Sequence, residues 1–167
     1  MKSLADLLED QGNLVEAVPL MREALDTARA TLGPQHDSTL ICMNSLAGLM
    51  MTLGRISEAE ALLREALKAL LASVGPLHKN AHGLMNNLGS VLVRQCRFGE
   101  AEPLLRRALE VRRATLGSLH PHTLTSRTTW RRFLRSRTSW TRRSRCFARR
   151  WWLSAPFWAP QHTVKHE

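Results

Sequence analysis

The segment EAEALLREAL, from Glu58 to Leu67, decides the fold because closely similar segments lie 42 residues before and after it. These are EAVPLMREAL from Glu16 to Leu25 and EAEPLLRRAL from Glu100 to Leu109. Working outward, TLGPQH (31–36), SVGPLH (73–78) and TLGSLH (115–120) recur in the same register. Self-similarity at a fixed period is the signature of a repeat array, in which every unit has the same local structure.

Each repeat unit has the pattern of two amphipathic helices. In both halves of the second unit, apolar residues recur three and four positions apart, as in a helix that buries one face. They are Leu40, Met43, Leu46, Ala47, Met50 and Leu53, followed by Ala59, Leu62, Leu63, Ala66, Leu67 and Leu70. Ser57 and Glu60 have the spacing of a capping box, which predicts a helix start at Ser57. One hairpin cannot bury its own apolar face, so we expect neighbouring hairpins to stack.

This pattern predicts an all-α solenoid of about two and a half to three repeats. The array is expected to span residues 1–126, as units of about 1–37, 38–79 and 80–121, followed by a tail over 127–167. Helix breaks are expected near Gly12, Gly33, Gly54, Gly75, Cys96 and Gly117. Because Met1 aligns with Met43 and Met85, we also expect the chain to begin partway into a first helix, with earlier repeats missing.

The motif LxxLAxLxxxxGRxxEAExLLRxALxxxxxxxGPxH resembles the 42-residue tetratricopeptide repeat of kinesin light chains and related proteins. The resemblance implies a right-handed solenoid whose first helices line a concave groove for peptides or partner domains. In that family, asparagines of the first helices hydrogen-bond an extended peptide backbone. The matching positions are Asn44 and Asn86, with Ser90 and Arg94 further along the same face. The first repeat has Lys2 instead of asparagine, so the groove is expected to be incomplete at that end.

The tail has a different composition from the array. Residues 1–126 hold 13 basic and 13 acidic residues, whereas 127–167 hold 11 basic residues and one acidic residue, Glu167, which accounts for the net charge of +10 (11 − 1). The tail also contains every tryptophan: Trp130, Trp140, Trp151, Trp152 and Trp158. Two kinds of sequence are therefore joined near Ser126, and each needs its own explanation.

We interpret the tail as a fourth repeat translated in a shifted reading frame. Tryptophan has the single codon TGG, so a one-base shift turns each tryptophan position into Leu, Val or Met and makes the next codon begin with G. Residues 128–131 then read NNLA, 140–151 read LDEAEPLFREAL and 158–160 read LGP, all in the repeat register. A degraded gene, a sequencing error and an unusual splice form would each leave this signature. We expect this tail to be irregular, without a fourth hairpin docked in the register.

The predicted function is protein–protein interaction, with a protein or peptide as ligand and without a cofactor. No combination of nucleophile, base and orienting acid occurs, and no glycine-rich phosphate loop, so an enzyme is not expected. Two alternatives remain open. The chain could be a non-functional fragment of a longer repeat protein, or the Arg/Trp tail could bind nucleic acid or another polyanion non-specifically.

Histidines and cysteines do not predict a metal site or a disulfide framework. His36, His78 and His120 occur once per repeat, and His162 and His166 have helical spacing but no further ligands. The cysteines are Cys42, Cys96 and Cys146, without a CxxC motif, which favours a reducing, cytoplasmic setting. The sequence shows no signal peptide and no apolar run of the roughly 20 residues that span a membrane.

Overall fold

The computed structural model describes residues 14–73 and 80–154, with side chains described as far as residue 141. Within those ranges the chain forms six helices and no strand. The helices are α1 (Leu14–Leu32), α2 (Asp37–Thr52), α3 (Ile56–Ser73), α4 (Ala81–Arg94), α5 (Phe98–Leu116) and α6 (Pro121–Ser154). The all-α prediction is confirmed, and none of these helices is long and apolar enough to span a membrane.

The helices stack in chain order as antiparallel hairpins. Consecutive helices pack against each other, and the first helices of successive repeats, α2, α4 and α6, also contact one another. The core between them contains most of the apolar positions predicted for the second unit, together with residues of the third. They include Leu40, Met43, Leu46, Leu63 and Leu70, and Leu84, Leu88 and Leu92. Packing between α4 and α5 is close at Gly89, where an added Cβ would lie 2.6 Å from the Leu105 side chain.

The predicted helix breaks are confirmed wherever the structure describes them. Gly33, Gly54 and Gly117 have φ angles of 85°, 77° and 85°, and Cys96 has a φ of 60°. Positive φ favours glycine, and Cys96 is the only other residue to adopt it in the described part of the chain. Gly12 and Gly75 lie outside the described residues.

The predicted capping box at Ser57 is wrong, because α3 begins at Ile56. The first intrahelical bond runs from the Ala59 amide to the Arg55 carbonyl at 3.2 Å, so the cap position lies two residues earlier than predicted. The Arg55 guanidinium donates to the Glu58 carboxylate, which stabilises this turn from the side chains.

The tail differs from the prediction, because 127–154 continue α6, a single helix of 34 residues. Phe133 is fully buried and Trp130 packs against the core. In the part of the tail whose side chains are described, Arg127, Arg131, Arg132 and Arg135 lie exposed. Arginine favours helix, and these four guanidinium groups do not enter the core with the aromatic residues.

The first part of α6 also docks in the 42-residue register, against our expectation. Arg137 donates to Glu102 at 2.7 Å, just as Gln95 donates to Glu60 at 2.8 Å one repeat earlier. The hairpin is nevertheless not completed in the described range, because α6 runs on through Thr138, where the repeat turn would fall. Residues 155–167 lie outside the described residues.

Candidate functional site

One strip of α4 remains open on the side of the first helices. Most of α4 is buried, namely Ala81, His82, Leu84, Met85, Asn86, Leu88, Gly89, Ser90, Val91, Leu92 and Val93. The polar residues Asn80, Asn87 and Arg94 are spaced seven residues apart, which places them on one side of the helix. This side faces α2, and we call the strip along which the two helices meet the groove.

Three hydrogen bonds cross the groove at a constant offset of 43 residues, and we call them the first-helix ladder. Asn80 Nδ2 donates to Asp37 Oδ1 at 3.0 Å, and Asn87 Nδ2 donates to Asn44 Oδ1 at 2.9 Å. The third bond runs from Arg94 Nη1 to the carbonyl of Met51. Seven residues of helix rise about 10 Å, so the ladder is about 20 Å long.

The structure brings only two of the four predicted groove residues to this ladder. Asn44 is half-buried and Arg94 is exposed, and both form rungs. Asn86 and Ser90 are 5% and 9% exposed, so they are turned into the packing around α4. Asn86 Nδ2 donates to Asn87 Oδ1 at 3.4 Å, which makes it a support for the middle rung.

Asn87 is the ladder residue that the sequence analysis missed. The resemblance matched Asn86 to Asn44 because they lie one repeat apart, but the contact across the groove joins residues 43 positions apart. The heptad spacing of Asn80, Asn87 and Arg94 was the available signal. These residues have the same helical spacing as the buried stripe but lie on a different side of the helix.

A pocket of about 410 Å³ lies at the N-terminal end of the ladder. Its apolar wall includes Leu40, Ile41, Leu84 and Leu116, and its polar wall includes Asn44, Asn80, His82, Arg112, His120 and His122. Ile41 and Leu116 are 39% and 42% exposed, so part of the apolar surface faces solvent. A groove with a polar track that leads into a partly apolar pocket can hold a backbone and one anchoring side chain.

The second helices carry a separate ladder of ion pairs on their outer side. Arg22 pairs with Glu58 at 3.0 Å, and the same pair recurs one repeat later as Arg64 with Glu100 at 2.9 Å. Such exposed pairs contribute little individually. Together they hold each second helix to the next.

Glu60 is the most enclosed carboxylate of this outer ladder, with a side chain 13% exposed. Burial raises its pKa, but hydrogen bonds from Arg64, Gln95 and Arg97 outweigh that effect, so the pKa of Glu60 lies below its ordinary value of 4.5. One carboxylate therefore ties α3 to the turn of the next hairpin, between α4 and α5.

In the part of α6 whose side chains are described, up to residue 141, the exposed arginines lie beside aromatic rings that pack against the protein. Trp130 stacks on Phe133 with ring centroids 5.0 Å apart, and Phe133 lies in the core. Trp140, 47% exposed, contacts Phe98 edge-on at 5.8 Å. Because these rings pack against the protein, the structure does not favour base stacking by this part of the tail.

Metal binding finds no support in the described ranges, where no group of three or more His, Cys, Asp or Glu side chains could hold an ion. His120 and His122 lie close, with ring centroids 5.3 Å apart. The backbone N–H of His122 donates to His120 Nδ1 at 3.2 Å, so His120 stabilises the start of α6.

Two family models described as Tetratricopeptide repeat match the chain. The first covers residues 1–72 and the second covers residues 83–122. Both matches end before the Arg- and Trp-rich segment. A comparison with curated proteins found no match.

Solved structures with the same fold include the putative kinesin light chain of Podosopora anserina with nearly identical TPR-like repeats, at 24% identity and a TM-score of 0.74. A single-residue variant of that protein matches at 25% identity with the same TM-score. Both alignments cover 82% of this chain and 65% of the other, so this chain spans about two thirds of their length. BtubC (BKLC) from P. vanneervenii, at 19% identity and a TM-score of 0.60, shares the fold over 98% of this chain and 67% of its own.

Proposed function

Because the chain belongs to the tetratricopeptide repeat family, we propose that it binds an extended segment of another protein along the first-helix ladder. Tetratricopeptide repeats are in general protein-interaction modules and not usually enzymes. Within the described residues Cys42 and Cys96 are not joined in a disulfide, which suits a cytoplasmic setting for this interaction, and that setting is part of the proposal.

The observation that carries the proposal is the open polar strip on an otherwise buried helix. The strip is about 20 Å long, which fits about six residues of extended peptide at about 3.3 Å each. Its side-chain amides, Asn44 and Asn87, can each donate to and accept from a peptide backbone. The pocket at its end gives room for one larger side chain of the ligand.

Gly83 provides the sharpest test of the groove. It lines the pocket, and a Cβ added there would meet only Arg112 Nη2, at an ordinary distance of 3.6 Å. Alanine should therefore be tolerated and should favour the helix by up to about 1 kcal/mol. Leucine at the same position should fill the entrance to the pocket.

The experiment selects ligands from a displayed peptide library against the full chain and measures their affinities by calorimetry. We expect Gly83→Leu to abolish binding and Gly83→Ala to preserve it. Asn87→Ala should weaken binding by about 1 kcal/mol through the lost hydrogen bonds. Selected peptides that bind both Gly83 variants and the Asn87 variant equally well would show that the groove is not the site.

A further inference from the structure

Arg112 is a buried charge at a position that is apolar in the other repeats. Leu70 and Ala28 lie one and two repeats before it, and both are buried. The Arg112 side chain is also buried, with 9% of the residue exposed. A leucine fills this place in the preceding repeat, so packing alone does not require a guanidinium.

Within the described ranges, the hydrogen-bond acceptors of Arg112 are neutral, so its guanidinium charge is not paired with a negative charge. Nη1 donates to Ser126 Oγ at 2.6 Å and to the carbonyl of His122 at 3.0 Å, and both acceptors are neutral. No carboxylate among the described residues pairs with it. Burial alone lowers the pKa of Arg112, as expected for a cation taken out of water without an anion. Buried charges in proteins are ordinarily paired with an opposite charge, so we expect the Arg112 guanidinium to bind an anion.

The unpaired side of this guanidinium lies at the pocket. Arg112 is part of the pocket wall, and its Nη2 lies beside Gly83, which has no side chain to cover it. His120 lines the same wall, and because its Nδ1 accepts the His122 amide, its Nε2 is the ring nitrogen that can donate. Asn44 and Asn80 add side-chain amides. These groups can surround an oxygen-bearing anion with hydrogen-bond donors.

We propose that this pocket binds one oxyanion group, a carboxylate or a phosphate, presented by the polypeptide that occupies the groove. This inference rests on the proposed function, since the groove delivers the group to the pocket. The anion completes the pairing of Arg112 and fixes the register of the ligand on the ladder. Arg112 and the pocket thus select where along a partner sequence the array binds.

The test uses inorganic phosphate and acetate as probes of the free chain, because they need no knowledge of the natural ligand. Backbone amide NMR signals of Gly83 and His122 are followed during titration of each anion, with sodium chloride as a control for ionic strength. We expect saturable shifts with at least one probe, and the stronger of the two identifies the class of oxyanion. The absence of saturable shifts with both would overturn the proposal.

The matched variants are Arg112→Leu, which restores the residue of the preceding repeat, and Arg113→Leu, which removes an exposed charge next to it. We expect the first to weaken anion binding by about tenfold or more and the second by less than about twofold, since a buried donor counts for more than an exposed one. Equal effects of the two would overturn the proposal. If Arg112→Leu does not fold, the titration of the unaltered chain still decides the question.

The peptide selection separates this proposal from the proposed function. Peptides that bind through the groove yet are insensitive to Arg112→Leu would overturn the anion pocket and leave the proposed function intact. Anion binding that depends on Arg112, in a chain that selects no peptide, would support the pocket and count against the proposed function.

Discussion

The hairpin α4–α5 and the helix α6 begin in the same way and end differently. Each starts with a first helix that docks on the preceding repeat, but α4 turns back at Cys96 while α6 runs on through Thr138. Glycine occupies this turn position in the repeat before, at Gly54, with a φ of 77°. A β-branched residue such as threonine strongly disfavours positive φ. Docking and turning back are therefore specified by different residues, and α6 docks without turning back at Thr138.

The outer ladder of ion pairs also continues through the earlier repeats and stops at Arg106. The pairs Arg22–Glu58 and Arg64–Glu100 predict a third pair between Arg106 and position 142. Position 142 is an arginine in this sequence. Arg106 instead donates to Glu102 at 2.8 Å, on its own helix, and lies over the Trp130 ring at 5.9 Å.

The largest effect is expected from re-encoding the tail with the one-base shift, so that residues 140–151 read LDEAEPLFREAL. This restores the acidic partner of Arg106 and an apolar stripe three and four residues apart, so a fourth hairpin should form and add several kcal/mol to the free energy of unfolding by nearest-neighbour packing. Thermal unfolding and NMR would compare it with a scrambled tail of the same composition. No gain over the scrambled tail would refute the shifted-frame interpretation.

Phe133→Ala should undock α6 from the array. Phe133 is fully buried and contacts both Phe98 and Trp130, with ring centroids 6.2 Å and 5.0 Å away. Removing such a ring costs about 3–5 kcal/mol. Hydrogen exchange of the α6 amides and urea unfolding would measure the loss. Leu134→Ala, at a neighbouring residue that is 38% exposed, is the control and should change stability by less than about 1 kcal/mol.

Glu60→Gln should destabilise the junction between the second and third repeats by about 1–3 kcal/mol, because a nearly buried carboxylate holds three donors there. Since the pKa of Glu60 is lowered in the folded chain, its contribution is complete above the ordinary value of 4.5 and is lost as pH falls through the folded pKa. Urea unfolding between pH 7 and pH 3 should therefore show a weaker pH dependence in the variant. Glu65→Gln, at a side chain 54% exposed, is the control and should change stability at pH 7 by less than about 1 kcal/mol.

Cys96→Gly should change the free energy of unfolding least, and it should stabilise the chain instead of destabilising it. A φ of 60° destabilises a non-glycine residue by about 1–2 kcal/mol, and glycine removes this strain. Glycine also makes the unfolded chain more flexible, which offsets part of the gain. A net gain of about 0.5–1 kcal/mol is expected by thermal unfolding. Cys96→Ala retains the unfavourable Cβ and should give no gain, so an equal gain in both variants would point to the thiol instead of the turn.

The repeat register predicted the helices, the core stripe and the turns because all three recur every 42 residues. The ladder was harder to predict, since a contact between neighbouring repeats joins Asn44 to Asn87 and not to its own counterpart Asn86. The docking of α6 was not predicted, because the tail was treated as irregular from residue 127 onward. The first turns of α6 nevertheless bury Ser126 and Phe133 and pack Trp130 against the core, which gives this part of the tail a face that docks.

The first-helix ladder also determines how the array responds to a ligand. In a stack where each unit contacts only its neighbours, stability divides into the intrinsic stability of each unit and the coupling between adjacent units. The three rungs between α2 and α4 belong to the coupling, because each joins two different repeats. A peptide laid along them bridges the same two units, so it strengthens the coupling and leaves the intrinsic stabilities unchanged. Binding should therefore sharpen the unfolding transition as well as raise its midpoint, by making two repeats unfold as one.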